Sequence, residues 1–391
     1  MNTIIGQTHA KEFLRRAWQN QRVAHAYLFH GPEGVGKTAF AIFAAQSFLC
    51  VQRRQPSAQP TTISLFDELE AAPSRRSAPE AAELACGVCS TCCRIAEMAH
   101  PDVKILFPRP ATATENERVE VLNSIAADPY RYLRPWENPY LLIDDVRGLK
   151  RDLAMTSYEG RGMVALILEA DRMRAEAANA LLKILEEPPP RTLIVLTAAS
   201  LEGLLPTILS RCQPVPLAVL SREQIAAALQ ERQKLSADRA ALIALIANGS
   251  YRRALELLDE DVDARRQQAV EFLRMAFRFN KPVEQMDFLN QLVRENDRRT
   301  LRQLLQFCAL WIRDGYIVKL LAPSPQASTH IINTDQERQL ADLVKNLPDF
   351  DFAGVIAELE FAIECLDRYV QPWLVLIVLL NRVQQLSKRK K

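Results

Sequence analysis

The chain lacks net charge: 49 lysines and arginines face 47 aspartates and glutamates over 391 residues, leaving +2 at neutral pH. No global field therefore announces a nucleic-acid or membrane partner, and any such contact must come from a local patch or from other subunits. It lacks a long apolar run as well. The longest late stretch, Trp373 to Leu380, is far too short to span a bilayer. Asn2 to Gln7 has neither a basic start nor an extended apolar core, so no secretory leader is expected and the cytoplasm is the expected location. Internal repeats are absent too. What is present suffices for two or three domain cores, since 48% of the residues are apolar.

Eight cysteines in a chain expected in the cytoplasm are not read as disulfides. Cys212, Cys308 and Cys365 are isolated and read as small core residues. Cys86-x2-Cys89-x2-Cys92 is a compact thiolate group, and one further ligand would complete a tetrahedral structural zinc site. Cys50, at the end of the helix expected after the phosphate loop, is the best fourth candidate, with Cys93 as the competitor. Between Cys50 and Cys86 lies Val51 to Ala85, rich in Arg, Gln, Pro, Ser and Ala and poor in periodic apolar positions, which reads as a mobile insertion. Within it, Ile63 to Leu69 has a few apolar residues that could form a short helix.

Gly31-Pro32-Glu33-Gly34-Val35-Gly36-Lys37-Thr38 matches G-x-x-x-x-G-K-[ST]. Ala26 to His30 before it reads as a buried strand and Ala39 to Ala45 after it as a helix, the context in which the pattern forms a phosphate-binding loop. Its glycines let backbone N–H groups converge on phosphate oxygens at a helix N-terminus. Lys37 would neutralise the β- and γ-phosphates and the Thr38 hydroxyl would ligate Mg²⁺. ATP with Mg²⁺ is the expected ligand, and its hydrolysis is a separate question.

Further strands are expected at Val103 to Phe107, Tyr140 to Ile143, Met163 to Leu168 and Thr192 to Thr197, with helices in the intervals. The clearest helix, Glu176 to Glu187, is ended by Pro188-Pro189-Pro190. Strands alternating with helices behind a phosphate loop predict a mostly parallel sheet covered on both faces. After Pro216 the strand signals stop. Ser221 to Leu258 reads as helices, opened by a capping box of Ser221 and Gln224. A second helical block runs from about Asp263 to Gln385, broken by a loop at Leu321 to Pro325. Lys388 to Lys391 reads as a solvated end.

Several phrases go beyond a generic ATPase. They are Gly6-Gln7, Ala24-His25-Ala26-Tyr27-Leu28-Phe29 with the phosphate loop, the cysteine cluster followed by His100-Pro101-Asp102, Asn179-Ala180-Leu181-Leu182-Lys183 with Leu185-Glu186-Glu187-Pro188-Pro189, and Ser210-Arg211-Cys212. Together they resemble the bacterial clamp-loader subunits, AAA+ proteins of the DNA polymerase III complex. The resemblance is strong over residues 1 to about 258 and general beyond. Gly31-Pro32-Glu33-Gly34, Ile143-Asp144-Asp145-Val146-Arg147 and Ala170-Asp171-Arg172-Met173 look like the delta-prime branch, with the gamma/tau ATPase branch as the alternative.

The resemblance implies an α/β AAA+ P-loop domain over 1–216, a parallel sheet with helices on both faces. It carries a zinc module over 50–93 with the flexible insertion at 51–85. An all-helical lid over 217–262 and an all-helical collar over 263–391 would follow. The collar would join a hetero-pentamer with gamma/tau and delta subunits, which uses ATP to open the sliding clamp and set it on primed DNA. Delta-prime subunits are rigid stators that present one catalytic arginine to a neighbour, and that arginine falls on Arg211. The family's zinc pattern maps onto Cys50, Cys86, Cys89 and Cys92. The gap from Cys50 to Cys86 is longer than usual, which keeps Cys93 in play. Four thiolates leave no open coordination site, so the metal is expected to be structural.

Hydrolysis needs an acid at a strand end to hold Mg²⁺ and a neighbour to position water. Tyr140 to Asp145 has that look. By the family's register, however, the metal-binding acid lies eleven residues before Asn179, on Leu168, with Glu169 in the following, water-activating position. Leucine cannot bind Mg²⁺. The chain then either holds ATP without hydrolysing it, or shifts Glu169 to give weak activity, or keeps a mostly empty relic; the first and third are favoured. Thr197 resembles the family's γ-phosphate sensor, and Arg252, within Gly249-Ser250-Tyr251-Arg252, resembles its nucleotide-reporting lid arginine. The chain carries no long proline-rich or basic extension after the collar, which also favours stator over motor.

Overall fold

The computed structural model describes residues 4–52, 84–136, 138–259, 262–277, 281–321, 331, 333, 336–346 and 350–387. Ile63 to Leu69, nearly all of the Val51–Ala85 insertion, all but the first residue of the Leu321–Pro325 break, and Lys388 to Lys391 lie outside them. By its contacts the chain divides into two compact units, Met1–Ala228 with Gly249–Leu255, and Leu229–Asn248 with Glu256–Lys391.

The first unit is built on five strands: β1 (Ala26–His30), β2 (Val103–Leu106), β3 (Met163–Ile167), β4 (Thr192–Ala198) and β5 (Gln213–Pro216). They form one sheet in the order β2-β3-β4-β1-β5, and every pair is parallel. Alternate side chains leave opposite faces of a strand, and here both sets are apolar. Tyr27, Phe29, Val164, Leu166, Leu193 and Val195 enter one core with residues of α1 (Thr8–Gln19), α2 (Lys37–Leu49) and α4 (Glu115–Ala127). Ala26, Leu28, Ala165, Ile167, Ile194 and Leu196 enter a second core with residues of α5 (Ile143–Leu153), α6 (Ala175–Glu186) and α7 (Pro206–Leu209). This is the parallel sheet with helices on both faces that the resemblance implies for the first domain.

The sequence hid two features of this sheet. β5 carries Pro214 and Pro216, which lack N–H donors, and it is tolerated because it lies at the sheet edge beside β1. Tyr140 to Ile143, expected as a strand, is not one. Tyr140 and Leu141 make only isolated bridges to Arg109 and Met173, and Ile143 already opens α5. Asp144 and Asp145 lie in that helix's first turn, where its dipole favours negative charge, and Asp145 is paired bidentately with Arg109. An apolar run ending in two acids is a strand end or a helix start; the first-turn carboxylates decide for the helix.

The second unit is helical. α8 (Arg222–Gln233) and α10 (Tyr251–Asp259) each run from one unit into the other, and α9 (Ala237–Ile246) lies between them in sequence. The expected capping box at the start of α8 is formed: Ser221 N donates to Gln224 Oε1 at 3.0 Å and Gln224 N to Ser221 Oγ at 3.2 Å. α11 (Val262–Ala276), α12 (Pro282–Glu295), α13 (Arg298–Leu321), α14 (Glu337–Asn346), α15 (Phe352–Asp367) and α16 (Pro372–Ser387) follow. Leu304, Leu305, Cys308 and Ile312 of α13 are buried, as are Val355, Leu359 and Leu366 of α15. That core also holds a polar chain, in which Arg266 donates to Asn333 Oδ1 at 2.8 Å and Asn333 donates to Asp314 Oδ2 at 2.7 Å. Among the described residues no helix is long and apolar enough to cross a membrane.

Candidate phosphate cleft and cysteine cluster

β1 delivers the chain from the sheet into the loop, and Gly36, at φ 97°, turns it into α2. A side chain is excluded there twice over: φ is left-handed, and a Cβ would lie 2.6 Å from the Tyr130 ring. At Gly34 a Cβ would lie 1.9 Å from Ser250 Oγ. Gln7 supports the loop from behind. It donates to Val35 O at 3.2 Å and Ala218 O at 2.8 Å and accepts from Ala218 N at 3.1 Å, which gives the Gly6-Gln7 phrase a physical role. Val35 itself is fully buried.

The loop forms one wall of a cleft of about 90 Å³. Of the residues expected at a nucleotide site, Gly34, Gly36, Lys37, Thr38, Glu169, Thr197 and Arg252 line it together, while Gly31 and Val35 belong to the loop behind. Ligand pockets commonly hold about 300–1,000 Å³, so a whole nucleotide enters only if side chains at the cleft move. Lys37 is folded back on its own loop, donating to Gly31 O and Pro32 O, each at 2.7 Å. Burial lowers the pKa of its ammonium group, and Glu33, Asp171 and Glu169 offset that only in part.

Leu168 follows β3 and is 1% exposed. Its side chain continues the row Val164–Leu166 into the core shared with α2. The register inferred from the sequence therefore puts this position on the phosphate-loop side of the sheet, where leucine supplies packing and no metal ligand. Glu169 turns out of the strand at φ 51°, and its N–H donates to Thr197 Oγ1 at 2.9 Å. Its carboxylate is engaged on both oxygens: Oε1 by the Tyr132 hydroxyl and Arg134, Oε2 by Arg172 at 2.9 Å. Burial, and then the Glu169 charge, raise the Tyr132 phenol well above its ordinary range. The residue expected to position water is thus held by its own chain.

Tyr130, Tyr132, Arg134, Asp171 and Arg172 were not expected at the cleft. Tyr130, Tyr132 and Arg134 come from a segment with no helix or strand, where periodicity gives no signal; its alternation of aromatic and basic residues was the one available cue.

Arg211 is not in the cleft. It follows α7, with its side chain about one-third exposed, and pairs with Glu186 Oε1 of α6 at 2.9 Å. It also donates to Thr207 O at 3.0 Å and Ser210 Oγ at 3.2 Å.

The cysteine cluster gathers at the C-terminal end of α2. The sulfurs of Cys50, Cys86, Cys89 and Cys92 all lie within 4.8 Å of one another. Cys50 Sγ is 3.6 Å from Cys86 Sγ and 4.0 Å from Cys89 Sγ, and Cys86 Sγ is 3.9 Å from Cys92 Sγ. Zn–S bonds of about 2.3 Å in a tetrahedron put sulfurs about 3.8 Å apart, so the donor set and its spacing fit zinc. Cys93 is exposed, its thiol directed to Val88 O, outside the cluster. Gln46 of α2 donates to Cys92 O at 2.9 Å, tying the cluster to the helix that starts at the phosphate loop. Asp102, buried, accepts from Tyr158 N at 2.6 Å and Glu159 N at 2.9 Å, and Glu159 in turn holds Thr91 and Arg94 of α3 (Ser90–Ala96). That is the physical work of the His100-Pro101-Asp102 phrase.

Comparison with known proteins agrees with this geometry. A family model described as DNA polymerase III, delta subunit, matches residues 6–221. DNA polymerase III subunit delta' of Bacillus subtilis is 28% identical over 255 residues, 65% of this chain and 60% of its own length. The subunit delta' of Pseudomonas aeruginosa is 32% identical over 252 residues, 63% of this chain and 60% of its own. DNA polymerase III subunit tau of Escherichia coli is 30% identical over 264 residues, 66% of this chain and 32% of its own. The chain thus spans about three-fifths of the length of the two delta' relatives.

Proposed function

The chain belongs to the DNA polymerase III delta-subunit family, and from that premise we propose that it is a delta-prime-type stator of a clamp loader. In this reading it joins gamma/tau and delta subunits in a cytoplasmic hetero-pentamer that loads the sliding clamp on primed DNA. It contributes Arg211 in trans to a neighbour's ATP. The phosphate loop retains nucleotide and turns it over weakly or not at all. The four-cysteine module holds one structural zinc. The three-part division, with the domain over 1–216, the lid over 217–262 and the collar over 263–391, belongs to the same proposal.

The observation that carries the reading is Leu168. A buried leucine stands where a hydrolysing subunit needs its metal-binding acid, and Glu169 beside it is engaged on both oxygens. Arg211 supports the other half. Its partly exposed guanidinium is held by one ion pair to Glu186 and by hydrogen bonds to Thr207 O and Ser210 Oγ beside it. All of these lie at the surface, from which it can turn to a γ-phosphate across an interface. The 30% identity to a tau subunit favours a second reading, an ATPase motor in its own right. In a complex reconstituted with partner subunits, Arg211→Ala should lower ATP turnover by on the order of 10³-fold with assembly retained; unchanged turnover removes the finger. Purified alone, the chain should show no steady turnover, and turnover abolished by Lys37→Ala would establish the motor instead.

A further inference from the structure

Mg²⁺ accompanies nucleotide at phosphate loops, held by the loop hydroxyl and a strand-end acid. The residues of this cleft do not fit it. Position 168 offers no side-chain oxygen, since it is a buried leucine. Among the described residues three carboxylates border the cleft: Glu33, Glu169 and Asp171. Glu169 is engaged on both oxygens, and Glu33 lies 3.3 Å from Arg134. Asp171 Oδ2 accepts from Ala199 N at 2.9 Å and Ser200 N at 3.4 Å, leaving only Oδ1, buried without a hydrogen-bond partner. Against these stand four cations on the same lining: Lys37, Arg134, Arg172 and Arg252. A divalent ion entering beside the phosphates would meet those charges with the Thr38 hydroxyl as its main protein ligand.

We propose that the cleft binds nucleotide polyphosphate without a divalent cation, the Arg134 guanidinium taking the place a metal holds in a hydrolysing site. This rests on the reading that the phosphate loop retains nucleotide. Arg134 is suited to the role. Its Nε is buried and has no hydrogen-bond partner, a donor left over for an incoming oxygen. A guanidinium meets phosphate through two parallel N–H···O bonds, which a lysine cannot do. If Arg134 turns to a phosphate, Glu169 is not left unpaired, because the Tyr132 hydroxyl and Arg172 still hold it. Glu169 therefore acts as the resting partner of Arg134. The arrangement also accounts for a phosphate-loop sequence intact from Gly31 to Thr38 beside a buried leucine at position 168.

The test is titration calorimetry of the full chain with ADP and with ATP, once in excess magnesium and once in excess EDTA. The two conditions should give affinities within about threefold of each other, and Arg134→Ala should weaken both by about ten- to a hundredfold. Arg134→Lys, which keeps the charge and loses the fork, should fall between. Binding that disappears in EDTA overturns the proposal and leaves the nucleotide reading standing. If that magnesium-dependent binding is also lost in Asp171→Asn, Asp171 Oδ1 is the metal ligand. No binding in either condition overturns the nucleotide reading itself, and this proposal with it.

Discussion

The cysteine cluster and the phosphate cleft lie at opposite ends of α2, and they are completed in opposite ways. In the cluster, three of four donors arrive within seven residues of sequence, and the fourth is supplied by the end of the helix. The four sulfurs converge within 4.8 Å of one another. In the cleft, the loop is equally local, but what decides its chemistry comes from far away: Tyr132 and Arg134 from an irregular segment, Arg252 from α10, and a leucine at the end of β3. A metal site assembled from thiolates is defined by what it contains. The cleft is marked instead by the four cations on its lining and by the buried leucine that follows β3.

The contrast can be tested, beginning where the effect should be largest. Cys92→Ala, which removes the most buried of the four thiols, should take metal content from about one zinc per chain to none. Stability should fall by several kcal/mol, since structural zinc contributes on the order of 10 kcal/mol of binding free energy to folding. Mass spectrometry under native conditions and urea unfolding would read the two effects, and a stable metal-free variant breaks the comparison. Leu168→Asp puts an unpaired carboxylate into an apolar core. It should cost about 3 kcal/mol in urea unfolding, partly recovered by magnesium with nucleotide. Recovery by magnesium would make this one residue the difference between a metal-dependent and a metal-free cleft. Smaller again, Glu186→Gln should leave the fold of the isolated chain intact, changing stability by less than about 1 kcal/mol as for other exposed pairs. The same variant should alter the ATPase of a reconstituted complex through Arg211, and no change in that rate would mean the pair does not position the arginine. Cys93→Ser should be nearly silent, within about 0.5 kcal/mol and with full metal content. Zinc loss in that variant would exchange the roles of Cys93 and Cys50.

Much of the fold was legible because its signals are local. β3 and β4 announce themselves as short apolar runs, and α6 is bounded by three prolines. The capping box opening α8 was readable from two residues. Tyr140 to Ile143 misled because an apolar run ending in acids has the same appearance before a helix as at a strand end. β5 escaped because its prolines argue against a strand, and only its position at the edge of the sheet allows them. In the cleft, the loop residues, Glu169, Thr197 and Arg252 could be named in advance. The partners of Glu169 could not, since no periodicity links residues 132, 134 and 172.

The sequence alone determined the phosphate loop, the CxxCxxC spacing, the family's phrases and the leucine at position 168, because each is a matter of residue identity at short range. Tertiary structure alone decided that Cys93 lies outside the sulfur cluster that Cys50 completes, a place the sequence favoured for Cys50 without closing it to Cys93. It alone decided too that Arg211 rests on Glu186, and that Glu169 is held by Tyr132, Arg134 and Arg172. Those outcomes depend on distances between segments tens of residues apart, which the packing of the sheet and its helices sets and no local pattern encodes.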